Sequence, residues 1–138
     1  MQFFFTGSIR GGREQQPQFE YIINELERYG NVFWEHTASK TMPQVGETGL
    51  SGKEILLREK EKIDKSDVII AEVTTASLWV GYLISYATSK NKKVVALYNK
   101  DSTLKLSAII KWDDRVKVYT YETQKDIEVL FEQLFTGK

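Results

Sequence analysis

The stretch "DVIIAEV" (67–73) constrains the fold more than any other. Its centre is apolar at every position and lacks the alternation of a strand with one wet face. Such a strand has to be covered on both faces, as the central strands of parallel sheets are. Helices must supply that cover, and the chain provides them in alternation with strands. Residues 2–6 read as a strand. Residues 14–29 read as a helix, with Phe19, Ile22, Ile23, Leu26 and Tyr29 recurring at spacings of three and four, and Gly30 stops it. "NVFWEH" (31–36), "KVVALY" (93–98) and "VKVYTY" (116–121) read as further strands. Helices are expected over about 51–65, 77–90, 104–111 and 123–135, the last with Ile127, Leu130, Phe131 and Leu134 as its inner stripe.

This alternation gives an α/β fold: one domain over residues 1–138, a doubly wound, Rossmann- or flavodoxin-like sheet of five parallel strands in the order 2-1-3-4-5, with helices on both faces. A chain of 138 residues is long enough for such a core. Lysine plus arginine and aspartate plus glutamate both number 19, so net charge is zero, which argues against a general nucleic-acid binder. There is no cysteine and one histidine, a poor basis for disulfides or a zinc site. No apolar run approaches the roughly 18 residues that a membrane span needs. The expectation is a soluble, cytoplasmic protein with no membrane or nucleic-acid partner.

In a sheet of this order, ligands bind beyond the carboxyl ends of strands 1 and 3, where the winding reverses. Strand 1 empties into "GSIRGGR" (7–13), with three glycines, a serine and two arginines, a composition suited to an anion such as phosphate. Strand 3 empties into "TTASLWVGY" (74–82), where Ser77 can cap a helix whose first N–H groups are free and partly positive. A glycine-rich turn alone is often only a turn; two anion-suited loops at one crevice carry more weight. Residues 37–52 form a long aperiodic loop, read either as a lid or as plain surface. In the helix at 51–65, Leu56, Glu59 and Ile63 share a face, so Glu59 interrupts an apolar stripe. Either it reaches water at the stripe's edge, or it faces the crevice and binds a hydroxyl or an arginine.

"GSIRGGRE", "YGNVFWEH", "SDVIIAEVTTASLWVGY" and "LSAII", in this order and spacing, resemble the 2'-deoxynucleoside 5'-monophosphate N-hydrolases, relatives of the nucleoside deoxyribosyltransferases. The resemblance runs from strand 1 to about residue 112. It implies cleavage of the bond between base and deoxyribose, with no metal or redox cofactor, in a homodimer. It implies that Gly7, Ser8, Ile9 and Arg10 line the nucleotide site and that Ser77 and Gly81 hold the 5'-phosphate. It implies further that Ser107 completes that phosphate site from the other subunit and that His36 lies near the base. On its own spacing, His36 reads equally as an ordinary strand-end residue.

Four positions depart from the family's pattern. The family's nucleophilic glutamate is Leu83, and a glycine that lets backbone approach the phosphate is Trp79. An aspartate that holds the sugar hydroxyls is Glu59, and a strand-1 tyrosine is Phe4. Leucine can neither attack nor stabilise a cationic sugar. Trp79 and Leu83 are one helical turn apart, so the resemblance implies a more apolar, more crowded sugar pocket. Glu59 is the best candidate for a replacement carboxylate, ahead of Glu72 and Glu35. Two readings follow: a nucleotide-binding N-glycosidase with weakened or lost hydrolysis, or a catalytically silent nucleotide sensor or dimeric scaffold.

Overall fold

The computed structural model describes residues 1–8, 16–34 and 51–137. Five strands and five helices alternate among them: β1 (Gln2–Gly7), α1 (Gln16–Glu27), β2 (Asn31–Phe33), α2 (Gly52–Asp64), β3 (Val68–Glu72), α3 (Leu78–Ser89), β4 (Lys93–Asn99), α4 (Ala108–Trp112), β5 (Val116–Tyr121) and α5 (Gln124–Thr136). The strands form one parallel sheet in the order β2-β1-β3-β4-β5, as the alternation predicts. Residues 35 and 36 of the expected strand 31–36 and residues 37–50 of the long loop lie outside the described residues.

Successive side chains of a strand leave the sheet on opposite faces, and Phe3, Phe4 and Phe5 use this to seed two cores. Phe3, Phe5, Ile70 and Leu97 meet Phe19, Ile22 and Leu26 of α1 and Ile127 and Phe131 of α5. Phe4, Ile69, Ala71 and Ala96 meet Ile63 of α2 and Val80, Leu83, Ile84 and Ala87 of α3. The apolar centre of β3 is buried throughout because both layers close on it.

Three local expectations change. Gly30 does not terminate α1 through a left-handed conformation; the helix ends at Glu27, and Gly137 is the one glycine at positive φ among the described residues. A Cβ at position 30 would lie 2.0 Å from the Met1 carbonyl oxygen, to which the Asn31 N–H donates at 3.0 Å, so the glycine serves the close approach of the chain to the start of β1. The helix expected from residue 104 begins only at Ala108. The polar groups of Leu104 are taken elsewhere: its N–H donates to Ser102 Oγ at 3.0 Å and its carbonyl accepts from the Tyr98 hydroxyl. The buried stripe of α2 is Ile55, Glu59 and Ile63, with Leu56 only half-buried.

Candidate functional site

The carboxyl ends of β1 and β3 lie side by side, with Thr6 paired to Ala71 and Gly7 to Glu72. From here β1 leads outward to β2 and β3 leads the other way to β4, so this is the point where the winding reverses. Gly7 is dictated by packing: a Cβ there would lie 2.5 Å from the tip of the Phe19 ring, which is itself locked edge-on against Phe5. Ser8 follows and is buried.

Across the crevice, Ser77 is the N-cap of α3, in extended conformation, with its Oγ accepting from the Val80 N–H at 3.2 Å. Its carbonyl accepts from the Gly81 N–H at 3.0 Å. The cap leaves the amides of Leu78 and Trp79, in the first turn, as the donors that a helix start presents to an anion. Among the described residues, no atom outside the local backbone lies within 4 Å of a Cβ built on Gly81, so no packing contact there requires a glycine. Trp79 is 36% exposed, at the surface end of this turn, while Leu83 one turn later is 3% exposed and packs in the cluster with Phe4, Val80 and Ile84.

Glu59 is 4% exposed, which removes the reading in which it reaches water. Its partner is an arginine, the neighbouring Arg58, whose Nη2 donates to Glu59 Oε1 at 3.1 Å. Glu72 is also buried but belongs to the other layer. It follows Ile70 by two on β3 and meets Tyr121, both of the α1/α5 core. Its Oε1 accepts from the Thr74 N–H at 2.7 Å, and its Oε2 accepts from the Thr74 hydroxyl at 3.0 Å and from the Tyr121 hydroxyl. Burial pushes its pKa above the usual carboxylate value although all three donors favour the charged form. Glu72 and Leu83 are therefore separated by the sheet. Ser107 is exposed and makes no side-chain cap bond at the start of α4.

Ile9, Arg10, Glu35 and His36 lie outside the described residues; of the others, Gly7 and Ser8 stand at the end of β1, Ser77, Trp79 and Gly81 at the start of α3, and Glu59 on α2. Sequence reasoning passed over Thr6. It is fully buried, and its Oγ1 has no hydrogen-bond partner among the described residues. The available signal was a lone hydroxyl closing a strand of three phenylalanines. A cavity of about 250 Å³ opens elsewhere, lined by Glu20, Ile23, Asn24 and Trp34 near the β2 edge.

No protein-family model matches the chain. Individual proteins do match it. It is 36% identical over 136 residues to the 5-hydroxymethyl-dUMP N-hydrolase of Homo sapiens, covering 96% of this chain and 78% of that protein. It is 36% identical over 137 residues to the enzyme of the same name from Danio rerio, covering 98% of this chain and 96% of the relative. Among solved structures, the CMP N-glycosidase of Clostridium botulinum superimposes with a TM-score of 0.64 at 16% identity, over 94% of this chain and 98% of that one, a likeness of fold.

Proposed function

The chain belongs to the 2'-deoxynucleoside 5'-phosphate N-hydrolase family, and from that premise we propose that it binds a nucleoside 5'-monophosphate at the β1/β3 crevice with hydrolysis of the base–sugar bond weakened or lost. The phosphate is assigned to the start of α3, where Ser77, the amides of Leu78 and Trp79, and the uncrowded Gly81 suit an anion. Gly7, Ser8, Ile9 and Arg10 line the nucleotide, and His36 lies towards the base. Glu59, held by Arg58, takes the sugar hydroxyls and is the one carboxylate we assign to any residual chemistry.

The observation that carries this reading is the burial of Leu83 among Phe4, Val80 and Ile84, where the resemblance expects a nucleophilic glutamate. Covalent attack on an anomeric carbon needs a carboxylate within reach, and a buried leucine supplies none. Loss of a nucleophile costs on the order of 10⁴- to 10⁶-fold in rate. Glu72 cannot substitute, since it faces the other layer and is tied to Thr74 and Tyr121.

The homodimer belongs to the same proposal. The exposed hydroxyl of Ser107 is free of capping duty, and Leu104, Ile109 and Trp112 beside it are exposed apolar side chains that a second subunit would cover. The competing reading is a silent nucleotide sensor, and the apolar setting of Leu83 favours it as well. A panel of deoxy- and ribonucleoside monophosphates, scored for thermal shift and for base release, separates them. Binding with slow release, raised by Leu83→Glu, is the expected result; binding with no release in either form leaves the sensor. Base release at a normal family rate, unaffected by Glu59→Gln, would overturn the reading.

A further inference from the structure

We propose that Thr6 is a ligand-contacting residue of this crevice, its hydroxyl hydrogen-bonding a hydroxyl of the nucleotide's sugar. The proposal rests on the nucleotide reading above and adds to it a group that no other argument requires.

The starting point is an unmatched polar atom. Thr6 is fully buried and its Oγ1 has no hydrogen-bond partner among the described residues, whereas about 90% of buried polar groups in folded proteins are paired. The other buried hydroxyls on helices or loops here obey the rule. Ser66 Oγ donates to the Lys62 carbonyl at 2.7 Å, Thr88 Oγ1 to the Ser85 carbonyl at 2.9 Å, and Thr74 Oγ1 to Glu72 at 3.0 Å. A strand offers Thr6 no carbonyl one turn back. Valine has nearly the same shape and would fill the place without stranding a hydroxyl, as the neighbouring phenylalanines do. The hydroxyl therefore points to a partner from outside the chain.

Its position says which part of a ligand. Thr6 follows Phe4 by two on β1, so it leaves the sheet on the α2/α3 face, the face of Phe4 and Leu83 and the one that α2 covers. Its register neighbour is Ala71, with a side chain of one methyl, and the next residue on β1 is Gly7, with no side chain. Thr6 is thus the last side chain of β1 on that face. A nucleotide whose phosphate sits at the start of α3, beyond β3, and whose base extends towards β2 carries its sugar across the end of β1. Shut off from bulk water, a hydrogen bond at this floor forms without competition from solvent.

The test is isothermal titration of wild type, Thr6→Val and Thr6→Ser with matched ribo-, 2'-deoxy- and 3'-deoxynucleoside monophosphates and with inorganic phosphate, plus thermal melts. Thr6→Val is expected to melt at or above the wild-type temperature, since it removes a stranded hydroxyl. It is expected to weaken nucleoside monophosphate binding about three- to tenfold, the worth of one neutral hydrogen bond. Inorganic phosphate binding should not change, and Thr6→Ser should bind nucleotide as wild type does. The nucleotide whose affinity Thr6→Val leaves untouched identifies the sugar hydroxyl concerned. Wild-type nucleotide affinity in Thr6→Val overturns the proposal and leaves the nucleotide reading standing, as does a melt well below wild type, which would make the hydroxyl structural. Absence of nucleotide binding in the wild type itself overturns both.

Discussion

The Tyr121 hydroxyl at the end of β5 donates to Oε2 of Glu72, two strands away at the end of β3. Between them, the Asn99 N–H at the end of β4 donates to Thr74 Oγ1 at 2.9 Å, and Thr74 donates in turn to Glu72. One buried carboxylate thus ties three strand ends together beside the crevice but on the far face of the sheet from Leu83. Removing one donor leaves an ionisable oxygen under-satisfied in a dry setting. Tyr121→Phe is expected to destabilise the fold by about 1–3 kcal/mol, read as a melting temperature lower by several degrees. Because the network faces α1 and α5, nucleotide affinity measured well below the melt should stay at the wild-type value.

The same carboxylate sets a pH dependence whose sign is fixed. Burial raises the folded-state pKa of Glu72 above the ordinary glutamate value of 4.5. The folded state therefore holds a proton that the unfolded chain has released, and the associated stability is present below pH 4.5 and lost as pH rises through the raised pKa. Glu72→Gln does not titrate. The difference in melting temperature, variant minus wild type, should become more favourable to the variant as pH increases from below 4.5. Asp113, Asp126 and Glu128, whose pKa values are lowered by hydrogen bonds, push wild type and variant alike in the opposite direction, so the difference isolates Glu72. A difference that is flat with pH, or that runs the other way, removes the upward pKa shift assigned to Glu72.

The strand order was legible because "DVIIAEV" has no wet face and the helices between strands carry stripes at a spacing of three and four. The candidate crevice was legible because the reversal of winding follows from that order. What escaped was whatever depends on which chain passes close by. Gly30 looks like a helix stop and is instead the place where the backbone of Met1 comes within touching distance. The helix at α4 starts late because Tyr98 and Ser102, six and two residues before Leu104, claim its polar groups. Glu59 was singled out as an intrusion in an apolar stripe, but that Arg58 rather than water would satisfy it depends on side-chain placement. The ties of Glu72 involve residues up to 49 apart in the chain, with no local periodicity to reveal them.

Two glycines of the crevice should respond in opposite ways to the same substitution. At Gly7 a methyl meets the Phe19 ring at 2.5 Å, and that ring is enclosed by the α1/α5 core. Gly7→Ala should destabilise by about 1–3 kcal/mol, as overpacking does. At Gly81 a methyl meets nothing within 4 Å, and the position lies inside helix α3. Gly81→Ala should stabilise by about 0.5–1 kcal/mol through lower backbone entropy in the unfolded chain. If the phosphate approaches the helix here, the same methyl should weaken nucleoside monophosphate binding. Thermal melts and titrations on the two variants check this; a Gly81→Ala protein that is both more stable and fully competent to bind would move the phosphate away from α3.

Leu83→Glu joins the fold to the chemistry. Leu83 is 3% exposed among Phe4, Val80 and Ile84, none of which can hydrogen-bond a carboxylate. Burying an ionised side chain there costs several kcal/mol unless it takes up a proton. The introduced carboxyl should titrate above the usual range. By the same sign argument as for Glu72, the variant's stability deficit should be small in acid and grow as pH rises, while Leu83→Gln shows a deficit that does not vary with pH. A bound nucleoside monophosphate should recover part of the loss as a thermal shift by mass action, and the carboxylate, placed against the positive charge that develops on the sugar in the transition state, should begin to release base. Leu83→Gln should release none. If Leu83→Glu shows the pH-dependent deficit, binds nucleotide and still releases no base, the carboxylate is in place and the sugar is not, and the obstruction then lies with Trp79 or Glu59.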